Sequence, residues 1–322
     1  MGATQTWANQ VKLTLRFALS AAIFVFLATQ ISLAESLRVL SKLDVFGAIL
    51  SVGLMIGLMI PATFRWYYVL HTFRTTLPFS ALLRMNLASS FASQALPTSL
   101  AGDALRAEWL RRSGLVLSKS VTVVTVDRLL AFLCLWIVVL CALPVSISVV
   151  GLSRADLLNL LSSLTPLLLA VFGTGVISIF ALIRLRPEWV RNTQAKIALT
   201  ARTLRSSPYR LTIFAHGLLV HLMRVLAVVV LANSMSIEVS VWLCLALVPI
   251  ALFIAMLPIS IAGWGVREGI FATVFVRAGI SLEEAIALSV AFGLAWLASA
   301  IPGALFLGSP VRGDLMRPGD SS

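Results

Sequence analysis

The chain has 322 residues, 59% of them hydrophobic and 12% charged, and a mean hydropathy of +0.99. Several apolar runs are long enough to cross a hydrocarbon core, which excludes a soluble single domain and predicts a polytopic membrane protein. Lys and Arg exceed Asp and Glu by 12, but they cluster in short loops, a pattern of topology and lipid-headgroup contact rather than of nucleic-acid binding.

In chain order, six runs read as full spans: 13–33, 45–64, 120–150, 158–183, 211–232 and 284–308. Lys12 and Arg16 flank the first, and Ser32-Leu33-Ala34 could pass for a signal-peptidase site, so a cleaved leader is an alternative to a first span. Two further apolar segments, 81–96 and 239–257, each lead into a Pro/Gly-containing motif. The loop 184–210 carries seven Lys/Arg against one Glu, whereas 233–238 carries no Lys or Arg. The positive-inside rule then places the first of these loops and the N-terminus in the cytoplasm. Cys134, Cys141 and Cys244 lie inside apolar runs without metal-type spacing, which predicts packing roles and neither a disulfide framework nor a metal site. No Walker-type loop and no soluble domain is recognisable.

The two motifs are copies of one another. LPTSLAGDALR (Leu96 to Arg106) and LPISIAGWGVR (Leu257 to Arg267) align without gaps, pairing Pro97 with Pro258, Gly102 with Gly263 and Arg106 with Arg267. After four extra residues in the second copy, Arg112-Ser113-Gly114-Leu115 pairs with Arg277-Ala278-Gly279-Ile280. This is an internal duplication with halves at 13–150 and 158–308, followed by a short tail, 309–322. The first motif's segment begins after two crossings and the second's after five, so the copies are inverted. Proline and glycine (Pro97, Gly102, Pro258, Gly263, Gly265) free backbone groups that protein, water or ligand must satisfy, which places the breaks near the midplane. The expected architecture is therefore a single all-α integral membrane domain of about six full transmembrane helices plus two re-entrant hairpins from opposite sides, with both termini cytoplasmic. A competing reading lets 239–257 cross completely and puts the tail, with Arg312 and Arg317, outside.

Charges at membrane depth cost about 2.5–3.5 kcal/mol on insertion scales and face a partner or a wet cavity. Two readings of Arg106 and Arg267 stand. In one, they converge on the phosphate of a lipid headgroup through forked hydrogen bonds. In the other, they are structural pairs, Arg106 with Asp103 at i−3 and Arg267 with Glu268 at a helix start. Asp127-Arg128 is a second charged pair that lines the same cavity or locks two helices. His221 and Arg224 share one face of the fifth span, His221 as an interhelical or proton-linked group, while His216 lies off that face, so a His-His metal site has the wrong spacing. Arg65, beside Trp66, Tyr67 and Tyr68, reads most simply as an anchor in an interfacial aromatic belt and alternatively as a further cavity residue. No arrangement for covalent or metal-dependent catalysis is present, so neither enzymatic activity nor a cofactor is expected.

Gly102-Asp103-Arg106, the Asp127-Arg128 pair and the run from Leu257 to Glu268 together resemble the lysylphosphatidylglycerol synthase transmembrane-region family of flippase-like proteins, over nearly the whole chain. The resemblance implies a lipid-handling protein of the inner (cytoplasmic) membrane. Members fused to a soluble transferase make and move aminoacylated phosphatidylglycerol; these 322 residues hold no such domain, which removes the expectation of synthase activity. Ala262 and Trp264 stand where the family commonly has glycine, and the bulky Trp could shift the substrate towards isoprenoid lipids such as hopanoids. The expected function is translocation of an anionic, glycosylated or isoprenoid lipid between leaflets. The alternative is a non-transporting partner that presents a lipid to a glycosyltransferase or acyltransferase.

Overall fold

The computed structural model describes residues 29, 32–96, 100–150, 162, 198–255 and 264–308. The predicted spans 13–33 and 158–183 fall almost entirely outside these residues, as do 97–99, 256–263 and the tail 309–322.

Helix α1 (Leu33–Ser41) opens at Ser32, whose hydroxyl accepts from the Glu35 amide. The Ser32-Leu33-Ala34 sequence is thus a capped helix start, since a Ser oxygen satisfies one of the orphan amides there. Helix α2 (Val45–Gly57) is capped by Asp44, which accepts from Gly47 N at 2.9 Å, and passes through Leu58 into α3 (Met59–Thr72). Among the described residues, four helical stretches are long and apolar enough to cross a membrane: Val45–Thr72, Leu117–Ala142, Arg210–Ser234 and Leu282–Phe306. They match the predicted spans 45–64, 120–150, 211–232 and 284–308. Their outer faces carry exposed apolar side chains such as Leu129, Leu133, Trp136 and Leu140, spaced to share one side of a helix, as lipid contact demands.

The remaining helices fall into two sets of four in the same order. The first set is α3, α4 (Phe79–Ala95), α5 (Ala101–Arg112) and α6 (Leu117–Val150); the second is α7 (Arg210–Ser234), α8 (Val241–Ala255), α9 (Val266–Arg277) and α10 (Leu282–Ala300). Corresponding helices end alike. After α3, Arg74 has φ +51° and Thr75 N donates to Leu70 O; after α7, Ser236 has φ +56° and Ile237 N donates to Ala232 O. After α5, Gly114 has φ +98° and Leu115 N donates to Leu110 O; after α9, Gly279 has φ +87° and Ile280 N donates to Phe275 O. Each is a left-handed stop with a six-to-one hydrogen bond, and glycine fills two of them because it enters that region without a Cβ penalty. These are the Gly114 and Gly279 paired by the sequence alignment. A 3-10 turn, Ile301–Phe306, follows α10 and packs on α4.

Apolar packing is weighted towards the same division, though Ile213 of α7 joins the first cluster and Met59 and Ala142 join the second. One cluster joins Trp66, Leu70, Leu82, Met85, Leu110, Val123 and Leu130 of the first set; the larger joins residues of α7 to α10, among them Val228, Val248, Phe271, Phe275 and Phe292, with Met55 and Leu58. The sets meet where small residues permit close approach: at Gly217 of α7, a Cβ would collide with Cys134 of α6.

Candidate functional site

Between the two sets lies a cavity of about 250 Å³. Each of the eight helices contributes to its wall, from Arg65 on α3 and Ser89 on α4 through Asp103, Asp127, Arg224, Leu252 and Arg267 to Trp296 on α10. The wall is part apolar, with Leu58, Met59 and Phe132, and part polar or charged.

Asp127 organises the charged part. It is 1% exposed, accepts from Arg65 Nε at 2.8 Å and NH2 at 3.2 Å, and accepts from Arg106 NH2 at 2.8 Å. One carboxylate therefore fixes arginines from α3 and α5 against α6 through charge-assisted bonds. The Arg106 guanidinium also lies 3.9 Å from the Trp66 ring centroid, a cation–π contact. Asp103, one turn before Arg106, accepts from Arg128 Nε at 2.8 Å; its Oδ1 is 3.8 Å from Arg106 NH1 and makes no hydrogen bond. Adjacent residues Asp127 and Arg128 thus pair with residues of other helices, both reaching α5, rather than with each other.

Across the cavity Arg267 donates from NH2 to Glu268 Oε1 at 2.6 Å and from Nε to Ser289 Oγ at 3.3 Å. Glu268 also accepts from the backbone of Gly265 at 2.7 Å, closing the start of α9 at a residue with φ +86°. The Arg267 guanidinium sits 4.5 Å from the Trp264 centroid and against the bare face of Gly293, where a Cβ would strike it. On α7, His221 bonds through Nε2 to Ala131 O at 3.0 Å, and Arg224 faces Trp296 at 5.3 Å. Outside the four long apolar helices, Glu108 at the end of α5 accepts from Arg111 and Arg112, and those hydrogen bonds hold its carboxyl down at about 2.

The sequence-derived residues Arg106, Arg267, Asp103, Asp127, Arg128, His221, Arg224 and Arg65 all line this one cavity, with Glu268 behind Arg267. Arg65 departs from the simpler reading: it is buried in the Asp127 cluster rather than lying in an interfacial aromatic belt. Gly102 lies in the first turn of α5, pressed against the Ser89 carbonyl and Ser93 of α4. Pro97, Pro258 and Gly263 lie outside the described residues. Sequence reasoning missed the polar stripe of α4, Asn86, Ser89, Ser90, Ser93 and Gln94, all on the cavity wall. Its signal was present as helical spacing inside an apolar segment.

The arrangement gathers five arginines and three carboxylates around one cavity whose wall also carries apolar and neutral polar side chains. Among the described residues no cluster of three or more His, Cys, Asp or Glu could hold a metal ion. The family model for the lysylphosphatidylglycerol synthase TM region matches residues 13–303. The chain belongs to that family. No curated protein matches it. Family membership and the apolar helices together make it an integral multi-pass membrane protein of a lipid-handling family.

Proposed function

We propose that this member of the family binds a lipid headgroup in the cavity between its two helix sets and carries it between leaflets, without chemical modification of the lipid. The observation that carries this reading is the position and charge of the cavity. Every helix of both sets lines it, and among the described residues its five arginines have three carboxylate partners between them, Asp103, Asp127 and the buried Glu268. The family membership supports the lipid as the ligand. The recurring helix order and matching helix ends support an inverted duplication, with α4–α5 and α8–α9 as re-entrant hairpins. In this reading the chain resides in the inner membrane with both termini cytoplasmic.

The test is leaflet exchange. Full-length protein in vesicles containing fluorescent phosphatidylglycerol should make inner-leaflet label accessible to an external, impermeant quencher, and protein-free vesicles should not. Specific lipid binding with no exchange would overturn transport and favour the alternative, presentation of a lipid to a separate glycosyltransferase or acyltransferase.

A further inference from the structure

The five arginines around the cavity are not equivalent. Arg65 and Arg106 share Asp127, Arg128 holds Asp103, and Arg267 holds Glu268. Arg224 has no hydrogen bond or ion pair among the described residues; its Nε is buried without a partner, and its guanidinium faces only the Trp296 ring. One turn earlier on α7, His221 is 2% exposed and its Nε2 bonds to the Ala131 carbonyl. A carbonyl can only accept, so Nε2 carries the hydrogen; in the neutral ring Nδ1 is then a bare acceptor. That Nδ1 is also buried without a partner. Both side chains line the cavity. A cation without an anion therefore stands one helical turn from an acceptor without a donor, and both omissions are costly inside a protein.

We infer that Arg224 and His221 form a headgroup subsite for a phosphodiester that carries free hydroxyls. The Arg224 guanidinium takes the phosphate oxygens, and His221 Nδ1 accepts from a headgroup hydroxyl. The α4 side chains Asn86, Ser89, Ser90 and Gln94, on the wall of the same cavity, supply further partners for a glycerol, polyol or sugar. A cationic headgroup is disfavoured, because five arginines face three carboxylates and each carboxylate is already held by arginine. The assignment rests on the lipid-handling reading for the ligand being a lipid; the phosphate-and-hydroxyl chemistry follows from the two side chains.

Binding to the full-length protein in detergent tests it, with phosphatidylglycerol, phosphatidylinositol, phosphatidylethanol and inorganic phosphate as probes. Phosphatidylethanol keeps the phosphodiester charge and lacks the hydroxyls. At least one hydroxylated lipid should bind about tenfold tighter than phosphatidylethanol, since a site built for a hydroxyl rejects an analogue without it. Arg224→Gln should weaken all three lipids by about tenfold or more, as expected for a charge-assisted bond. His221→Phe should erase the preference for hydroxylated lipids while leaving phosphatidylethanol within about twofold. Equal binding of hydroxylated and plain lipids to the unmodified protein overturns the subsite whether or not the variants fold, as does wild-type affinity in folded Arg224→Gln or wild-type preference in folded His221→Phe. Inorganic phosphate binding as tightly as the lipids, and depending on Arg224, would put a free anion there and overturn the headgroup assignment. Arg224-dependent lipid binding with a His221-dependent preference, but without leaflet exchange, would leave the subsite standing and remove only the transport reading.

Discussion

Replacing Asp127 by Asn should damage this protein more than any other single change of one atom in the cavity. The carboxylate accepts three hydrogen bonds, from Arg65 Nε, Arg65 NH2 and Arg106 NH2, and is 1% exposed. An Asn keeps one oxygen for the Arg65 Nε bond. It turns an N–H donor towards the two guanidinium NH2 groups, and Arg65 is left buried without a carboxylate. Breaking a buried ion pair from one side destabilises by about 3–5 kcal/mol. At roughly 2 °C per kcal/mol, the value for the larger single-chain proteins, thermal unfolding in detergent at a fixed scan rate should fall by about 6–10 °C. Adding Arg106→Gln removes one stranded cation, so the double variant should lose at least about 1 kcal/mol less than the sum of the single losses. A transition within about 2 °C of wild type in Asp127→Asn, or strictly additive losses, would refute the assignment of Asp127 as the shared anchor.

Gly102→Ala puts a Cβ against the Ser89 carbonyl, which cannot rotate away, and should destabilise by about 1–3 kcal/mol. Gly53→Ala, where nothing lies within 4 Å, should be neutral or stabilise α2 by up to about 1 kcal/mol, and thermal unfolding of both reads the contrast. Because the folded Glu108 carboxyl sits at about 2, below its ordinary 4.5, its contribution to stability is fully present above the ordinary value and is lost as pH falls towards 2. Wild type and Glu108→Gln should therefore differ most at neutral pH and converge in acid, with a small difference throughout because the pair is exposed. A C-terminal reporter fusion should be active only as a cytoplasmic enzyme; activity of a periplasm-dependent reporter alone would favour the seven-crossing reading of 239–257.

Four of the six predicted spans were legible because apolar runs of sufficient length have few alternatives to a crossing helix, and the paired helix stops because Gly114 and Gly279 recur in a detectable alignment. Charge partners were not. Periodicity shows which face a residue takes on its own helix, and so grouped His221 with Arg224, but it does not say which helix packs opposite. Asp103 was visible beside Arg106 at one turn, whereas the shorter bond runs to Asp127 on another helix. Of the two readings of Arg65 the cavity one matches its place, and the interfacial one looked simpler because an Arg beside Trp and Tyr at a span end has the composition of an interface. Its burial is a property of the packing of α3 on α6, 62 residues away in sequence. That Arg224 alone has no carboxylate is a statement about all the other arginines at once, which no local window contains.

The ion pairs of the cavity also say something about mechanics. Among the described residues, every salt bridge at the cavity stays within one set: Asp127 and Asp103 bind arginines of α3, α5 and α6, and Glu268 binds its neighbour on α9. Across the seam run apolar contacts, the His221 bond to the Ala131 carbonyl and the Cys134 thiol near the Phe214 carbonyl. The first set is thus tied together by its own charges and the second keeps its ion pair to itself, with Arg267 reaching α10 through Ser289, like two cogs cut from separate castings. A slip of one set along the other would trade one apolar contact for the next while leaving every buried charge in the company it already keeps.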